Sequence, residues 1–474
     1  MSGQSQVQAR TVPADEVEAF YDDHPYPPPV ASLDRYRESW SDPDRLRDEY
    51  HLMWPKAAYR DDLEILIAGC GTSQAAKHAL RQPAARVAGI DSSATSLRHT
   101  RELKRRYGLK NLEVRQLPIE RVHELGRQFD KIVCTGVLHH LADPDTGLRD
   151  LRAVLKPDGA MYLMVYATYG RSGIYMIQEY CRQLGVGTSK REIEDLIAVL
   201  RTLPNGHPLA PVLRQSPDMR RSDALADALL HPRDRAYTVP QLFDYVERNG
   251  CRFGRWYRQA QYVPQCGALS ATPHAARLTK LPARDQYATV ELHRGTIARH
   301  SFIAYRDDHP DESQLIRTGD SPTAAGSQWQ SYVPIRQPRT ICVQKNLPPG
   351  AAGVLINQAH TYTDLILPID RYEKRVFDAI DGRRTTTEIV DRTTTPQGEE
   401  TRPQAGASSK ETASHSSTAT GRGILAFSRE PRRQAQARAF FERLWWYDQV
   451  VFDASRSATD RVGSVQAPAE TAHE

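Results

Sequence analysis

LEILIAGCGTS, residues 63–73, carries the pattern from which the rest of the chain is read. Residues 63–68 contain one polar side chain, Glu64, in an otherwise continuous apolar run. A strand this apolar is covered on both faces, as in a parallel sheet with helices on either side. Gly69 and Gly71 then permit a tight turn and a close approach of backbone to a ligand. A helix predicted over 74–80 starts just behind them and offers the unpaired N–H groups of its first turn.

The alternation repeats downstream. Residues 86–90 (RVAGI) read as a second strand ending at Asp91, and Ser92 or Ser93 caps a helix that Gly108 terminates. Residues 112–115 are a third strand, followed by a short helix over 119–125 with Pro118 in its first turn. FDKIVC at 129–134 is a fourth strand; Asp143 and Pro144 start a helix running to 155, and LKPDG at 155–159 turns the chain into a fifth strand over 160–166. Strands alternating with helices through short connections predict an α/β, doubly wound, mostly parallel sheet with right-handed crossovers. Residues 253–263 and 296–306 read as two further strands, antiparallel at one edge, which makes seven.

Around this core the chain divides as follows. Residues 1–60, rich in Tyr, Pro, Asp and Arg, form an N-terminal strap or lid, with FYDDHPYPPPV at 20–30 extended by its prolines. Residues 61–170 are the ligand-binding core. Helical patterns at 171–184, 189–203 and 222–230 make 171–250 an insert over the carboxyl edge of the sheet, and 251–310 supplies the edge strands. Residues 311–355 read as a linker. Residues 356–455 form a small C-terminal domain: 363–391 gives an amphipathic helix, a DGRR turn and a second helix, and 437–455 a helix with a strand-like end. The Ser/Thr/Gly-rich stretch 394–436 and the tail 456–474 read as disordered.

Composition narrows the class. The 474 residues carry a net charge of +5, too small for the length to argue for nucleic acid, so a nucleic-acid partner is not expected. The most apolar uncharged run, residues 160–167, is far short of the roughly 20 residues a bilayer requires, so no membrane partner is expected either. Six scattered cysteines without a CxxC pair fit free thiols in a reducing cytoplasm.

In an open parallel sheet, ligands bind outside the carboxyl ends of the strands. Four loops qualify. Ala68, Gly69, Cys70 and Gly71 form the first. Asp91 with Ser92 forms the second: a carboxylate 22 residues beyond Gly69 is placed to accept both hydroxyls of a ribose, and the pair points to an adenosine-containing cofactor. Gln116, Leu117 and Pro118 form the third, where an adenine ring fits against Leu117 and Pro118. The fourth, Thr135 to Pro144, places Thr135 and Val137 towards the cofactor and adds His139 and His140, of which either serves as a general base near pH 7. No third or fourth ligand stands near these histidines in sequence, so no metal is expected. Tyr26, Tyr166 and Tyr169 are candidates for the acceptor pocket.

LEILIAGCGTS, VAGIDSS, FDKIVCTGVLHHLADP and LRAVLKPDGAMYLMVYA, in this order and spacing, resemble the class I S-adenosylmethionine-dependent methyltransferases. The likeness covers residues 62–167 clearly and extends loosely to 306. It implies a Rossmann-like methyltransferase fold, S-adenosyl-L-methionine as cofactor, and methyl transfer by in-line displacement to an acceptor that is more readily a small molecule than a macromolecule. The chain departs from the family at Ile67, where an acid is usual, at Ser73, where a third glycine is usual, and at Gln116-Leu117, where an acid usually stands beside adenine. Those departures motivate an alternative, a non-catalytic S-adenosylmethionine-binding regulatory module; a protein or RNA methyltransferase is another. A nicotinamide dehydrogenase would require glycine where Gln74 stands. The C-terminal region faintly resembles small winged-helix peptide-binding domains. Acceptor identity and oligomeric state are not written in the sequence.

Overall fold

The computed structural model describes residues 14–25, 27–215, 221–310, 323, 328–394 and 430–456. It divides into two compact units, residues 1–46 with 59–319 and residues 47–58 with 320–474.

The first unit is built on β1 (Glu64–Ala68), β2 (Arg86–Asp91), β3 (Leu112–Gln116), β4 (Phe129–Thr135), β5 (Leu155–Tyr166), β6 (Cys251–Trp256) and β7 (Arg299–Arg306), in the order β3-β2-β1-β4-β5-β7-β6. Strands β1 to β5 pair in parallel, whereas β7 runs antiparallel to both β5 and β6. All five residues of β1 are buried, as the apolar run requires. After β2 and β3 are laid outward from β1, the chain crosses back to place β4 on its other side. Between β1 and β4 the strand order therefore reverses, and a crevice opens at their carboxyl ends.

Local chemistry sets the elements around the sheet. α1 (Ala14–Asp23) and α2 (Asp34–Ser39) precede β1, while α3 (Asp44–Met53) belongs for the most part to the second unit; α4 (Gln74–Arg81), α5 (Ala94–Tyr107) and α6 (Pro144–Ala153) are crossovers. The Ser93 hydroxyl accepts the Ser96 N–H to cap α5, and Gly108 at φ +61° closes it. Asp143 caps α6 by accepting the N–H groups of Asp145 and Thr146. The insert comprises α7 (Ser172–Leu184), α8 (Lys190–Leu200), α9 (Leu209–Gln215) and α10 (Ser222–Leu229), joined by an apolar core that includes Ile174, Ile177, Leu196, Leu209 and Leu225. α11 (Val239–Arg248), α12 (Ala275–Leu278) and α13 (Ala283–Arg294) follow.

In the second unit β8 (Val333–Arg336) pairs antiparallel with β12 (Val450–Asp453). A three-stranded antiparallel sheet is formed by β9 (Thr340–Val343), β10 (Gly353–Asn357) and β11 (Ile366–Ile369), with β10 central. Helices α14 (Arg371–Asp378), α15 (Thr386–Thr394) and α16 (Glu430–Trp446) accompany them. Phe440, Phe441, Trp445 and Phe452 are fully buried and form its aromatic core.

Several sequence expectations need correction. Phe20–Asp23, expected in the extended stretch 20–30, are the last turn of α1, because Pro25 and Pro27–Pro29 all fall between α1 and α2 and interrupt neither. The strand expected over 253–263 stops at Trp256; Tyr262, beyond it, is buried by stacking on Trp256 at 3.8 Å. The edge-strand region 251–310 contains α13 as well, and β7 starts at Arg299. Residues 311–355 are not simply a linker, since β8, β9 and the start of β10 lie there; such short strands are set by partners remote in sequence, as β8 is by β12. Residues 366–369, expected at the start of a helix, form β11, with Pro368 on the strand and Asp370 capping α14 behind it. The stretch read as disordered at 394–436 ends inside α16; residues 395–429 and 457–474 lie outside the described residues. Among the described residues no helix is long and apolar enough to cross a membrane.

Candidate active site

Gly69 and Gly71 adopt φ of +68° and +53°, the left-handed region that favours glycine. A Cβ on Gly69 would stand 2.3 Å from Val137 Cγ2, so the loop after β1 and the loop after β4 touch where a side chain would part them. Gly69→Ala is therefore expected to weaken S-adenosylhomocysteine binding at least tenfold in a calorimetric titration, with left-handed strain of about 1–2 kcal/mol adding to the clash.

Asp91 closes the next side of the crevice. Its Oδ2 accepts the Gly71 N–H at 2.8 Å and its Oδ1 the Ser93 N–H at 3.0 Å, so one carboxylate ties the glycine loop to the start of α5. Burial pushes its pKa up against the pull of those N–H bonds. The Asp91 carbonyl also accepts the Leu117 N–H at 3.0 Å, and the Gln116 amide donates to the Ser92 carbonyl at 2.9 Å. Leu117 is buried and Pro118 half-buried beside them. Ala68 and Cys70 are fully buried; the thiol faces Gly89, so Cys70 turns its side chain into the sheet. Thr135 is half-buried at the end of β4.

The N-terminal segment crosses over these loops. Thr72 Oγ1 donates to the Pro27 carbonyl at 2.8 Å, and Asp22 accepts from Ser93 Oγ at 2.6 Å and from the Thr95 N–H at 3.1 Å. Tyr26, in the same segment, lies outside the described residues.

At the other end of the crevice a polar cluster is buried between β4, β5 and the insert. His139 has no exposure; its ring lies 3.9 Å from Tyr166 and 4.1 Å from His140. His140 Nδ1 is 2.7 Å from the Arg233 carbonyl, and the His231 ring is 3.9 Å from His140. The Arg171 guanidinium stacks 3.5 Å over the Tyr166 ring and donates to Asp234 Oδ2 at 2.8 Å. From α1, the Tyr21 hydroxyl donates to Asp227 Oδ1 on α10 at 3.1 Å. Burial keeps the imidazoles neutral: His139 falls well below its ordinary value, His140 to about 4 and His231 to about 2. Burial acts oppositely on the acid and pushes Asp227 up to about 7, against the hydrogen bond from Tyr21 and the charge of Arg171.

The structure thus brings together His139, His140 and Tyr166, and gathers the residues of the first three loops around Asp91. Tyr169 is exposed and stands apart, in an open groove of about 640 Å³ lined by Thr168, Tyr169, Ser172, Tyr175 and Met176. Sequence reading missed Arg171, Asp227, His231 and Asp234, each more than 30 residues from the His139–His140 pair. One signal was available: Asp227 is an acid inside SDALADAL, a helix whose residues 224–229 are all buried.

Residues 66–161 match the family model described as a methyltransferase domain. A curated relative, an uncharacterized protein of a Synechococcus strain, is 29% identical over 344 residues, covering 69% of this chain and 81% of its own length. The ubiquinone biosynthesis O-methyltransferase of Acinetobacter baumannii is 29% identical over 129 residues, 26% of this chain, which spans about half (54%) of that enzyme. Among solved structures, PKMT2 from Rickettsia typhi superposes with a TM-score of 0.58 at 14% identity, covering 90% of this chain and 76% of its own; its complex with AdoHcy gives 0.53, covering 85% and 75%. With the seven-stranded order, the paired glycines and the carboxylate after β2 in place, residues 66–161 carry a methyltransferase domain on a Rossmann-like methyltransferase fold.

Proposed function

We propose that the chain transfers the methyl group of S-adenosylmethionine to an oxygen or nitrogen nucleophile of a small, partly apolar molecule in a reducing cytoplasm. Gly69, Gly71 and Val137 would hold the methionine end, Asp91 the ribose hydroxyls, and Gln116, Leu117 and Pro118 the adenine. The sulfonium is already activated by its charge, so the protein's task is chiefly alignment of nucleophile, methyl carbon and sulfur. A protonated acceptor needs a proton acceptor as well. We give that role to Asp227, whose value near 7 matches neutral pH, while burial leaves His139 and His140 weak bases. The names of the O-methyltransferase relatives are consistent with an oxygen acceptor, and the scattered cysteines without a CxxC pair with the compartment.

The observation that carries the small-molecule reading is continuity from groove to cluster. Tyr175, on the groove wall, accepts a hydrogen bond from Arg171 Nε at 3.2 Å, and Arg171 stacks on Tyr166, which packs on His139. Labelled methyl transfer into fractionated cell extract tests it: label should enter the small-molecule fraction, and label confined to protein or RNA would overturn it. Met176 is half exposed in the groove (52%), so Met176→Arg should leave folding and S-adenosylhomocysteine affinity unchanged while lowering the initial rate at fixed extract concentration at least tenfold.

A further inference from the structure

The geometry points to a transition-metal site formed by His139, His140 and Asp234, selective for a dication of the zinc class. One ligand atom from each residue lies within 4.8 Å of the others. Bonds of about 2.0–2.2 Å to a tetrahedral ion place ligand atoms about 3.4 Å apart, so closure by at most about 1.4 Å completes the site.

Three independent features single out these residues. First, His139 is fully buried and both its ring nitrogens lack a hydrogen-bond partner. A buried imidazole with neither nitrogen satisfied is a standing cost that a ligand would relieve. Second, His140 Nδ1 lies 2.7 Å from the Arg233 carbonyl, which fixes the proton there and leaves Nε2 as the lone pair. A backbone carbonyl behind the imidazole is the usual support of a metal-bound histidine. Third, the Asp234 side chain is 3% exposed and its two oxygens are treated differently. Oδ2 accepts from Arg171 at 2.8 Å and from Gln178 Nε2 at 2.9 Å, whereas Oδ1 is buried and unpartnered. His231 is excluded from the ligand set: its Nδ1 accepts the Arg233 N–H at 3.1 Å, so its Nε2 carries the proton.

Two imidazoles with one carboxylate suit Zn²⁺ and its neighbours and do not suit Mg²⁺ or Ca²⁺, which take all-oxygen shells. The Arg171 charge, which opposes a cation, is offset in part by its ion pair with Asp234 at 2.8 Å. Three protein ligands leave a fourth position for an oxygen or nitrogen from outside the protein. This inference stands apart from the acceptor assignment and from the glycine-loop cleft.

The test uses the full chain, stripped with chelator and titrated with Co²⁺, then with Zn²⁺ in competition and Mg²⁺ in parallel. One equivalent of Co²⁺ with the visible bands of a four-coordinate site, displaced by Zn²⁺ and not by Mg²⁺, is expected. His139→Phe removes the ligand, breaks no hydrogen bond and keeps the aromatic contact with Tyr166; it should lower Zn²⁺ affinity at least a hundredfold. His140→Gln should do the same, and His274→Ala, at an exposed position, should change nothing. Absence of the Co²⁺ bands in the parent chain overturns the inference whatever the variants do, as does undiminished metal retention in His139→Phe. S-adenosylhomocysteine titrated into the same samples separates the two sites: metal bound without the nucleoside would fault the glycine-loop cleft alone, and the nucleoside bound without metal would fault this inference alone.

Discussion

Asp91→Ala should weaken S-adenosylhomocysteine binding by a hundredfold or more, the largest loss expected from any single change in the crevice. The carboxylate does two jobs that no neighbour duplicates. In the free protein it accepts the N–H groups of Gly71 and Ser93 and so holds the glycine loop against α5. In the complex proposed above it would take both ribose hydroxyls. A hydrogen bond to a charged acceptor is worth about 1.5–3 kcal/mol, and two such bonds exceed the roughly 2.8 kcal/mol of a hundredfold change. Asp91→Asn provides the finer comparison: it keeps the size and one acceptor oxygen but loses the charge, so its loss should be intermediate. Calorimetric titration decides, and unchanged affinity in Asp91→Ala would remove the ribose assignment.

The second large effect concerns Asp227 and appears in two measurements with opposite signs. As proton acceptor the carboxyl works only when ionised. With its folded value at about 7, kcat/KM should rise with pH through 7 and level off above it. Asp227→Asn should abolish that rising limb and lower kcat/KM at pH 8 by two to four orders of magnitude, on the scale of about 10²–10⁴ that general-base catalysis supplies. The groups facing Asp227 are Tyr21 from α1, Tyr166 from β5, Arg171 ahead of α7, and Asp234. Stability runs the other way. Between the ordinary carboxyl range and about 7 the folded chain keeps a proton that the unfolded chain releases, so stability falls as pH rises through that interval, by up to roughly 4 kcal/mol. Asp227→Asn escapes this cost, and its unfolding midpoint should exceed the parent's at pH 8 while approaching it at pH 5. A variant that loses activity and stability together would mark Asp227 as a structural residue only.

The crevice residues were legible because each is fixed by its immediate neighbours. Gly69 and Gly71 follow an apolar strand and precede a helix, and Asp91 ends the next strand; strand period, turn chemistry and helix capping are local, and they locate these residues without reference to the rest of the chain. The polar cluster behaved differently. His139 and His140 could be seen as a pair, but His231 and Asp234 reach them from about 90 residues away and Tyr21 from the N-terminus, placed by packing between α1, α10 and the sheet. The C-terminal strands escaped for the same reason: β8 is a strand because β12, more than 100 residues later, pairs with it.

By itself, then, the order of residues determined the doubly wound sheet, its carboxyl-end crevice and a site for an adenosine-containing cofactor, because apolar period, glycine turns and an acid at a strand end act over a few residues at a time; the methyl-donor class came from the resemblance of the four motifs. Only the tertiary structure decided the protonation of the buried groups, the meeting of His139 and His140 with Asp234, and the raised carboxyl of Asp227. These depend on how much water the assembled elements exclude and on which distant charges they bring within reach, and neither quantity exists until the chain has folded.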